Sequence, residues 1–382
     1  MEYLLYAVFL FSCLLGVCYV FVVAAFAVGW IKTPVFKESG VMPHRTVSVV
    51  VPARDEEDNI RNSLTDILSQ NYPKQLYEII FVDDNSTDST LQIVEEVKAE
   101  HPDTSIRIIR LKEEKGFIAY KKRAIDEAVK IATGELIFST DADCRMNKQW
   151  MASIVDYFER NNSEMIIAPV CFYGNDAFFG KLQILEFLSL IGVSGGAAYF
   201  NKAMMCNGAN LVYKKTTYFG VGGYKKYYDS CSGDDVFLMH EVKKNHSNRI
   251  GYIKSLDATV FTKPEETIRG FYFQKKRWAS KARKYSDVTT FAIAVIILTF
   301  NFAVLADFVA GIFNRQLLLL SIVLIIVKAI TDFIFLYHVT SFFKRRDLLW
   351  IFIPAELLYY FYVSFIGIIA NFGKINWKGR IF

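Results

Sequence analysis

Apolar positions are concentrated at the two ends of the chain, around a middle part in which apolar and polar positions alternate. Residues 3–30 are apolar throughout, and three further apolar runs lie at about 288–313, 317–342 and 348–372. Each run is long enough to cross a bilayer core of about 30 Å at about 1.5 Å per residue. The pattern therefore predicts about four membrane-spanning helices that flank a soluble domain.

The middle part alternates between short apolar runs and segments with apolar residues at helical spacing. The runs at 46–53 and 78–84 predict strands that are buried on both faces, and the runs at 106–111 and 135–143 predict a third and a fourth strand. Strands that alternate with helices predict an α/β domain with a doubly wound sheet. Ligands of such sheets bind beyond the carboxyl ends of the strands, so the polar residues at those ends are candidate site residues.

One more long apolar segment, FFGKLQILEFLSLIGVSGGAAYF, lies within the middle part at 178–200. One interpretation is a helix buried inside the protein. The other is an interfacial helix that presents a lipid acceptor to the site. Both interpretations are open at the level of the sequence.

Ionisable residues also lie inside the C-terminal apolar runs, where such residues usually face a helix bundle or a polar path. Lys328 and Asp332 are four positions apart, which predicts a pair on one helix face. Glu356 has no evident partner nearby in the sequence, so both a structural and a functional role are open. Asp307 lies inside the run at 288–313.

Composition and charge fit this division, with 53% hydrophobic residues, a mean hydropathy of +0.23 and a net charge of only +5. We interpret the basic clusters at 275–284 and 344–346 as cytoplasmic flanks that face anionic lipid. They predict an integral protein of a bacterial inner or plasma membrane, with its middle domain in the cytoplasm. No nucleic-acid module accompanies the charge, which argues against nucleic-acid binding. The six cysteines show neither disulfide nor zinc spacing, which favours a reducing compartment.

The side of the membrane on which the chain ends is left open. A complete fourth span would put the basic tail KINWKGRIF outside, against the positive-inside rule. Pro354 and Glu356 also allow a broken or re-entrant last segment.

Two carboxylates follow the fourth predicted strand in the segment STDADC. Asp141 and Asp143 are two positions apart, and in an extended chain such positions point to the same side. Paired hard oxygen ligands suit Mg²⁺ or Mn²⁺, with phosphate oxygens completing the shell. The sequence has neither a Walker-A nor a G-x-G-x-x-G motif, which argues against an ordinary P-loop nucleotide or a Rossmann dinucleotide.

Seven segments occur along 46–280 in the order seen in family 2 glycosyltransferases: VVVPARDEEDNI, FVDDNSTDST, STDADC, CNGANLVYKK, GGY, SGDDVFLM and QKKRW. The chain resembles the membrane-bound members of that family. It resembles the transferases for ceramide-type or carotenoid-type lipids and, more distantly, cellulose and hyaluronan synthases. The resemblance implies a GT-A fold with a mixed, Rossmann-like sheet, an inverting mechanism and a nucleotide-diphosphate sugar donor, expected to be a UDP-sugar.

The resemblance also implies which residues bind the donor. The nucleotide-binding positions correspond to Ala53, Arg54, Glu56, Asp83, Asp84, Lys121, Lys122 and Asp141. The metal, Mg²⁺ or Mn²⁺, is implied at Asp143, with Asp141 beside it. The segment YKKRAIDEA departs from the family pattern, with Tyr120 in place of a glycine and Asp126 in place of an asparagine. Which of the two lysines faces the diphosphate is therefore open. The alternative interpretation, in which both lysines lie on a solvated helix face and bind no donor, is also open.

The same resemblance implies the base and the sugar loop. Asp235 of SGDDVFL corresponds to the carboxylate that deprotonates the acceptor hydroxyl, and Asp234 to its neighbour. An alternative interpretation makes Asp234 the N-cap of the helix that follows. Asn207 and Gly208 of CNGAN correspond to the loop that lines the donor sugar.

The segment YFQKKRWASKARKY combines a membrane-surface composition with a match to the family's Q-x-x-R-W motif. Gln274 and Trp278 are four positions apart and share a helix face, with Arg277 next to it. We expect the tryptophan to pack on the acceptor and the arginine to meet the diphosphate. The other basic residues are expected to stay free for lipid headgroups: Lys275, Lys276, Lys281, Arg283 and Lys284.

The predicted organisation has five parts. They are a transmembrane helix (1–31), a cytoplasmic GT-A domain (44–265), an interfacial segment (266–287), about three C-terminal transmembrane segments (288–373) and a basic tail (374–382). The predicted activity is metal-dependent hexosyl transfer from a nucleotide sugar to a membrane lipid by single displacement. The alternatives are a processive polysaccharide synthase and a non-catalytic scaffold. The sugar, the lipid and the oligomeric state are not indicated.

Overall fold

A helical unit and an α/β unit make up the protein. The structure, a computed structural model, describes residues 2–40, 43–114, 117–174, 177–281, 287–369, 376–377 and 380–381. The helical unit comprises Met1–Lys32, Asp176–Ala197 and Glu265–Ile375, and the α/β unit comprises Thr33–Asn175, Ala198–Pro264 and Asn376–Phe382. The predicted domain 44–265 is thus interrupted by a segment of the helical unit, and the end of the predicted tail 374–382 belongs with the α/β unit.

The elements have the following bounds. The helices are α1 (Glu2–Lys32), α2 (Ile60–Leu68), α3 (Thr90–Glu100), α4 (Tyr120–Ile131), α5 (Trp150–Asn161), α6 (Phe178–Tyr199), α7 (Lys215–Gly220), α8 (Asp234–His246), α9 (Ile268–Ser280), α10 (Val288–Ala310), α11 (Arg315–Phe342) and α12 (Phe352–Ile369). The strands are β1 (Val47–Ala53), β2 (Tyr77–Asp83), β3 (Ser105–Arg110), β4 (Leu136–Ser139), β5 (Arg145–Met146), β6 (Met165–Ile167), β7 (Val170–Phe172), β8 (Leu211–Lys214), β9 (Ile250–Tyr252), β10 (Val260–Thr262), β11 (Asn376–Trp377) and β12 (Arg380–Ile381).

A seven-stranded mixed sheet in the order β3-β2-β1-β4-β8-β6-β9 forms the centre of the α/β unit. Strands β3, β2, β1 and β4 are parallel, whereas β8 runs antiparallel to both of its neighbours. Every residue of β1 and β2 is buried, which explains why these strands are largely apolar on both faces instead of alternating between apolar and polar residues. The predicted α/β sheet with a mixed strand order is confirmed.

A second, three-stranded sheet in the order β5-β10-β7 lies in the same unit. Strand β5 pairs antiparallel with β10, which connects the chain just after β4 to the region around Thr262. The fourth predicted strand is shorter than expected. It ends at Ser139 instead of 143, so the carboxylates that follow it lie outside the sheet.

The described residues contain five helices that are long and apolar enough to cross a membrane, namely α1, α6, α10, α11 and the stretch Arg346–Gly367, which contains most of α12. This is one more than the roughly four that the sequence predicted, and the additional helix is α6. In α6, 67% of the most apolar window is buried inside the protein, against 22–28% in the other four. This burial favours the interpretation of α6 as a buried helix. The five candidate spans indicate a membrane protein.

Two glycines let α1 and α6 approach closely within the helical unit. A side-chain carbon at Gly29 would collide with the backbone of Gly196, and one at Gly196 would collide with the backbone of Phe26. Small residues at a crossing of two membrane helices allow this kind of backbone contact. The glycines in these apolar runs therefore position the two helices.

A fully buried lysine ties α1, α11 and α12 together. Lys328 donates to Asp332 at 2.8 Å and also to Glu356, and the hydroxyl of Tyr19 donates to Asp332 at 2.8 Å. The lysine amine also lies 4.9 Å from the ring centre of Tyr360. The predicted pair on one helix face is present, and Glu356 has a partner that its sequence neighbourhood did not reveal.

Replacing Lys328 with methionine should destabilise the helical unit, because two buried carboxylates would lose their cation. Breaking such a pair costs about 3–5 kcal/mol, which thermal unfolding of the full-length protein in detergent would detect. The triple variant Lys328→Met, Asp332→Asn, Glu356→Gln removes all three charges together and should regain much of the loss. An unchanged unfolding temperature for Lys328→Met alone would show that the pairing does not hold the helices.

Candidate active site

The carboxyl ends of β1 and β2 are joined by the backbone and by one arginine. The amide of Asp84 donates to the carbonyl of Ala53 at 2.9 Å. The guanidinium of Arg54 donates to the carbonyls of Asp84 and Asn85 at 2.8 and 2.9 Å. The arginine therefore shapes the turn after β2, and its position at the strand end agrees with the prediction.

Two other predicted nucleotide-side residues support loops near these strand ends. The carboxylate of Glu56 accepts from the side chain of Asn59 at 2.9 Å, close to the start of α2. The carboxylate of Asp83 accepts from the amide of Ser86 at 3.2 Å. Both side chains have local partners.

Asp84 is buried and binds an arginine from the end of the chain. Arg380 donates to both oxygens of Asp84, at 2.5 and 3.2 Å, and its guanidinium carbon lies 3.5 Å from the ring centre of Tyr120. Burial raises the pKa of Asp84 and the arginine lowers it, with the net direction upward. In the sequence, Arg380 is one of the basic residues of the tail 374–382, and its charge is the only signal that it carries.

Asp141 and Asp143 lie on a turn, and the expectation of an extended chain is wrong. The amide of Cys144 donates back to the carbonyl of Asp141 at 3.2 Å, which closes the turn. One oxygen of Asp143 accepts from the hydroxyl of Thr262 at 2.9 Å. The two carboxylates are therefore brought together by chain reversal beyond β4 instead of by strand pleating.

Lys121, the second residue of α4, lies between two sets of carboxylates. Its amine is 2.6 Å from Asp141 and 3.3 Å from Asp234. Burial lowers the pKa of Lys121, but the two carboxylates raise it by more, so the amine stays charged. A single cation thus joins the turn after β4 to the beginning of α8.

Lys122 has different surroundings from Lys121. Its side chain is 1% exposed, and its amine donates to the carbonyls of Ser230 and Ser232 at 2.7 Å each. The structure thus brings Lys121 to the carboxylates, whereas Lys122 binds the backbone that precedes α8. The role predicted for either lysine at the diphosphate stays a prediction.

Helix α8 begins with the two predicted carboxylates. Gly233, with φ at 87°, is the N-cap residue, so the interpretation of Asp234 as the cap is wrong. A side-chain carbon at Gly208 would lie 2.7 Å from an oxygen of Asp234 and 3.7 Å from Cβ of Asp235. The predicted sugar loop and the predicted base are therefore neighbours.

The loop around Gly208 is held by two asparagines. The side chain of Asn207 accepts from the amide of Ala209 at 3.0 Å and thereby caps a short 3-10 turn. The side chain of Asn210, which sequence reasoning missed, is buried and accepts from the indole of Trp150 at 2.9 Å. It also donates to the carbonyls of Pro169 and Ala258. Asn210 is a structural residue that fixes the loop.

The Q-x-x-R-W segment lies on α9 of the helical unit. Gln274 donates to Glu265 at 3.1 Å. Lys275 binds Glu186 at 2.5 Å, and its amine lies 4.5 Å from the ring centre of Trp278. The acceptor role predicted for Trp278 and for Arg277 of the last helical turn stays a prediction.

The expectation that the basic residues around this motif are free for lipid headgroups is wrong for two of them. Lys275 and Lys276 are 4% and 5% exposed. Arg283 and Lys284 lie outside the described residues. Lysines on the inner face of an amphipathic helix can bury their stems and pair their amines, as Lys275 does with Glu186.

Among the described residues, no three His, Cys, Asp or Glu side chains are grouped as a ready-made metal site. Asp141 and Asp143 supply two carboxylates of the kind that hard cations prefer. A metal at this turn would need further oxygen ligands from a substrate.

Comparison with known proteins gives two family matches. The model described as Glycosyl transferase family 2 matches residues 48–219, and the model described as Glycosyl transferase family group 2 matches residues 136–365. Both matches include the turn with Asp141 and Asp143, and the second continues through α8, α9 and most of α12.

The chain is similar to poly-beta-1,6-N-acetyl-D-glucosamine synthase of Staphylococcus epidermidis, with 23% identity over 263 residues, 67% of this chain and 60% of the relative. A shorter stretch of 118 residues, 31% of this chain and 35% of the relative, is 27% identical to a Methanococcus voltae enzyme, dolichyl N-acetyl-alpha-D-glucosaminyl phosphate 3-beta-D-2,3-diacetamido-2,3-dideoxy-beta-D-glucuronosyltransferase. The matched stretches thus span less than two thirds of either relative.

A solved structure shares the fold. The mannosyltransferase PcManGT from Pyrobaculum calidifontis, in complex with GDP-Man and Mn²⁺, aligns with a TM-score of 0.57 at 18% identity, over 96% of this chain and 100% of that one. This likeness confirms the predicted GT-A fold. Since one family model alone covers residues 136–365 of the 382, the chain belongs to family 2 of the glycosyltransferases.

Proposed function

We propose that this protein is an inverting glycosyltransferase that moves a sugar from a nucleotide-diphosphate donor to the hydroxyl of a membrane lipid. The observation that supports it most is the position of Lys121, whose amine is 2.6 Å from Asp141 and 3.3 Å from Asp234. The first carboxylate follows a strand end, where donors bind in α/β sheets. The second neighbours the proposed base Asp235. The amine of Lys121 therefore contacts a carboxylate on the proposed donor side and a carboxylate on the proposed acceptor side.

The donor nucleotide is proposed to bind at the ends of β1 and β2. A carboxylate such as Asp84 accepts hydrogen bonds from a ribose hydroxyl or a uracil N–H. Arg380 binds both oxygens of Asp84 and thereby holds the carboxylate in one orientation. The remaining lone pairs of the carboxylate are proposed to accept hydrogen bonds from the nucleotide. Lys121 is proposed to donate to the diphosphate, because a more highly charged anion competes with Asp141 for the amine.

The transfer itself is proposed to be a single displacement. Asp235 takes the proton of the acceptor hydroxyl while that oxygen forms a bond to the anomeric carbon. The bond from the anomeric carbon to the diphosphate breaks on the opposite face, and its electron pair leaves with the nucleoside diphosphate. Gly208 has no side chain, which lets the backbone of the proposed sugar loop lie close to Asp234, where a side-chain carbon would be 2.7 Å from a carboxylate oxygen.

A divalent metal fits the donor set of Asp141 and Asp143, which consists of hard carboxylate oxygens. When bound, Mg²⁺ or Mn²⁺ would neutralise charge that builds on the leaving diphosphate. The Mn²⁺ in the complex of PcManGT supports the use of a metal in this fold. Thr262 donates to Asp143 at 2.9 Å and would orient one ligand.

The proposed acceptor is a membrane lipid at the cytoplasmic face. Five helices of the described chain are able to span a membrane, and the Q-x-x-R-W segment on α9 belongs to the same unit as those helices. The dolichyl-phosphate-linked acceptor in the name of the Methanococcus voltae relative also supports a lipid-linked substrate. The basic residues that flank the spans support the cytoplasmic orientation.

A second candidate function is processive synthesis of a polysaccharide. The observation that favours it is the match to poly-beta-1,6-N-acetyl-D-glucosamine synthase over 67% of this chain. The two candidates share the donor chemistry and differ in product length.

Replacing Asp235 with asparagine should lower the rate of transfer by about 10²–10⁴-fold, because the base is lost. Donor affinity should stay within about twofold, since the proposed base contacts the acceptor. The measurements are release of nucleoside diphosphate in the presence of a membrane lipid extract, and donor titration. The control is Asp257→Asn, which changes an exposed carboxylate of the same unit. Wild-type turnover by the Asp235 variant would show that another group is the base.

Removing divalent metal with a chelator should stop transfer, and Mg²⁺ or Mn²⁺ should restore it. Thr262→Val removes the hydroxyl that donates to Asp143, so we expect the metal concentration for half-maximal rate to rise about 10–100-fold. Activity at saturating metal should largely recover in that variant. Full activity in chelator would exclude the proposed role of the metal.

Mass spectrometry of lipids from membranes incubated with a panel of UDP- and GDP-sugars should reveal a lipid that gains one sugar or a few. The physical reason is that a non-processive enzyme releases its product after each transfer. A ladder of many sugars on one acceptor would instead establish the polysaccharide synthase. An unchanged lipid profile together with soluble polymer would also overturn the lipid acceptor.

A further inference from the structure

Helix α4 carries two buried polar side chains that the proposed mechanism does not use. Lys122 and Asp126 are four positions apart and therefore lie on one face of the helix. They are 1% and 5% exposed. Both bind the segment that leads into α8, which we name the base segment and define as residues 224–233.

Lys122 holds this base segment by its backbone. Its amine donates at 2.7 Å to the carbonyl of Ser230 and at 2.7 Å to that of Ser232. Ser230 and Ser232 lie four and two residues, respectively, before Asp234. A buried ammonium is stable only where it is hydrogen-bonded, so the contact fixes both partners.

Asp126 holds the base segment by a side chain. One of its oxygens accepts from the hydroxyl of Tyr228, which belongs to the base segment. The other oxygen accepts from the hydroxyl of Tyr218, which belongs to α7. The same carboxylate therefore has one partner inside the base segment and a chemically identical partner outside it.

The backbone conformation at the end of the base segment couples the anchored carbonyls to the carboxylates that follow. Gly233 adopts φ of 87°, and a side-chain carbon there would collide with the ring of Phe237. The chain thus turns sharply just before Asp234 and Asp235. Because the turn joins the anchored carbonyls directly to the carboxylates, a shift of Ser230 and Ser232 would move the carboxylates as well.

We propose that Lys122 and Asp126 are positioning residues, which set the place of Asp235 relative to the donor by clamping the base segment onto α4. This inference rests on the proposed function in that Asp235 is taken as the base. Lys121 on the same helix contacts Asp141 and Asp234. The helix therefore holds the donor-side cation and the base segment in one rigid element, and a base displaced by about 1 Å loses about 10²-fold in rate.

The test compares two variants that each remove one hydroxyl from Asp126. Tyr228→Phe frees the base segment and should lower kcat about tenfold, with donor KM and donor affinity within about twofold. Tyr218→Phe removes the same chemical group from the same carboxylate outside the base segment, and its kcat should stay within about twofold. Thermal unfolding of both full-length variants controls for a general loss of stability.

A second pair of variants tests the lysine. Lys122→Met removes the two contacts to backbone carbonyls and should lower kcat about 10²-fold at unchanged donor affinity. Lys122→Arg keeps donors at this position and should recover part of the rate. Lys130→Met, which changes an exposed lysine of the same helix, is the matched control. The rate is measured as nucleoside diphosphate release from the sugar nucleotide that binds most tightly, with membrane lipid extract.

Equal losses of kcat in the two tyrosine variants would overturn the proposal, as would a loss of donor affinity in parallel with kcat. Failure of the proposed function has a different signature. In that case the wild-type protein would transfer from none of the sugar nucleotides, or Asp235→Asn would keep the wild-type rate while the clamp variants still differed from their controls.

Discussion

The contact of Lys121 with two carboxylates from distant parts of the chain is the interaction on which the rest of the site depends. Asp141 comes from the turn after β4, and Asp234 begins α8. Without a cation between them, two carboxylates in a partly buried site would repel each other and separate. Helix α4 packs on β1 and β2 and thus carries the lysine on a rigid support. The site is assembled around this positive charge.

The same helix shows how much neighbouring residues can differ in role. Lys121 and Lys122 are consecutive, so on a helix of 3.6 residues per turn their side chains point about 100° apart. One faces the carboxylates, and the other lies beneath the base segment and binds Ser230 and Ser232. Sequence alone left the register open because YKKRAIDEA departs from the family pattern. Which of the two lysines lies next to the carboxylates depends on which face of α4 is buried, and the sequence alone does not show this.

Local patterns were enough to predict the sheet and the strand ends near which the candidate site residues lie, since burial on both faces produces largely apolar runs such as β1 and β2. What could not be predicted depends on contacts between distant positions. Arg380 binds Asp84 across 296 positions, and Lys328 binds Glu356 across 28. No periodicity encodes such pairs. The turn of Asp141 and Asp143 was missed for another reason: an apolar run shows where a strand is favoured, whereas its end depends on where its neighbours stop pairing.

Two cation-centred clusters in the described part of the chain, around Lys328 and around Lys121, differ in exposure. The side chain of Lys328 is 0% exposed, and its carboxylate partners lie on membrane helices, so no incoming anion can reach it. The side chain of Lys121 is 22% exposed and that of Asp141 is 33% exposed. A cation at a solvent-accessible edge can exchange a carboxylate for a phosphate at little cost, because water solvates the released group. The buried lysine of the helical unit therefore holds helices together, whereas the lysine of the α/β unit is exposed enough for the proposed exchange of a carboxylate for the donor diphosphate.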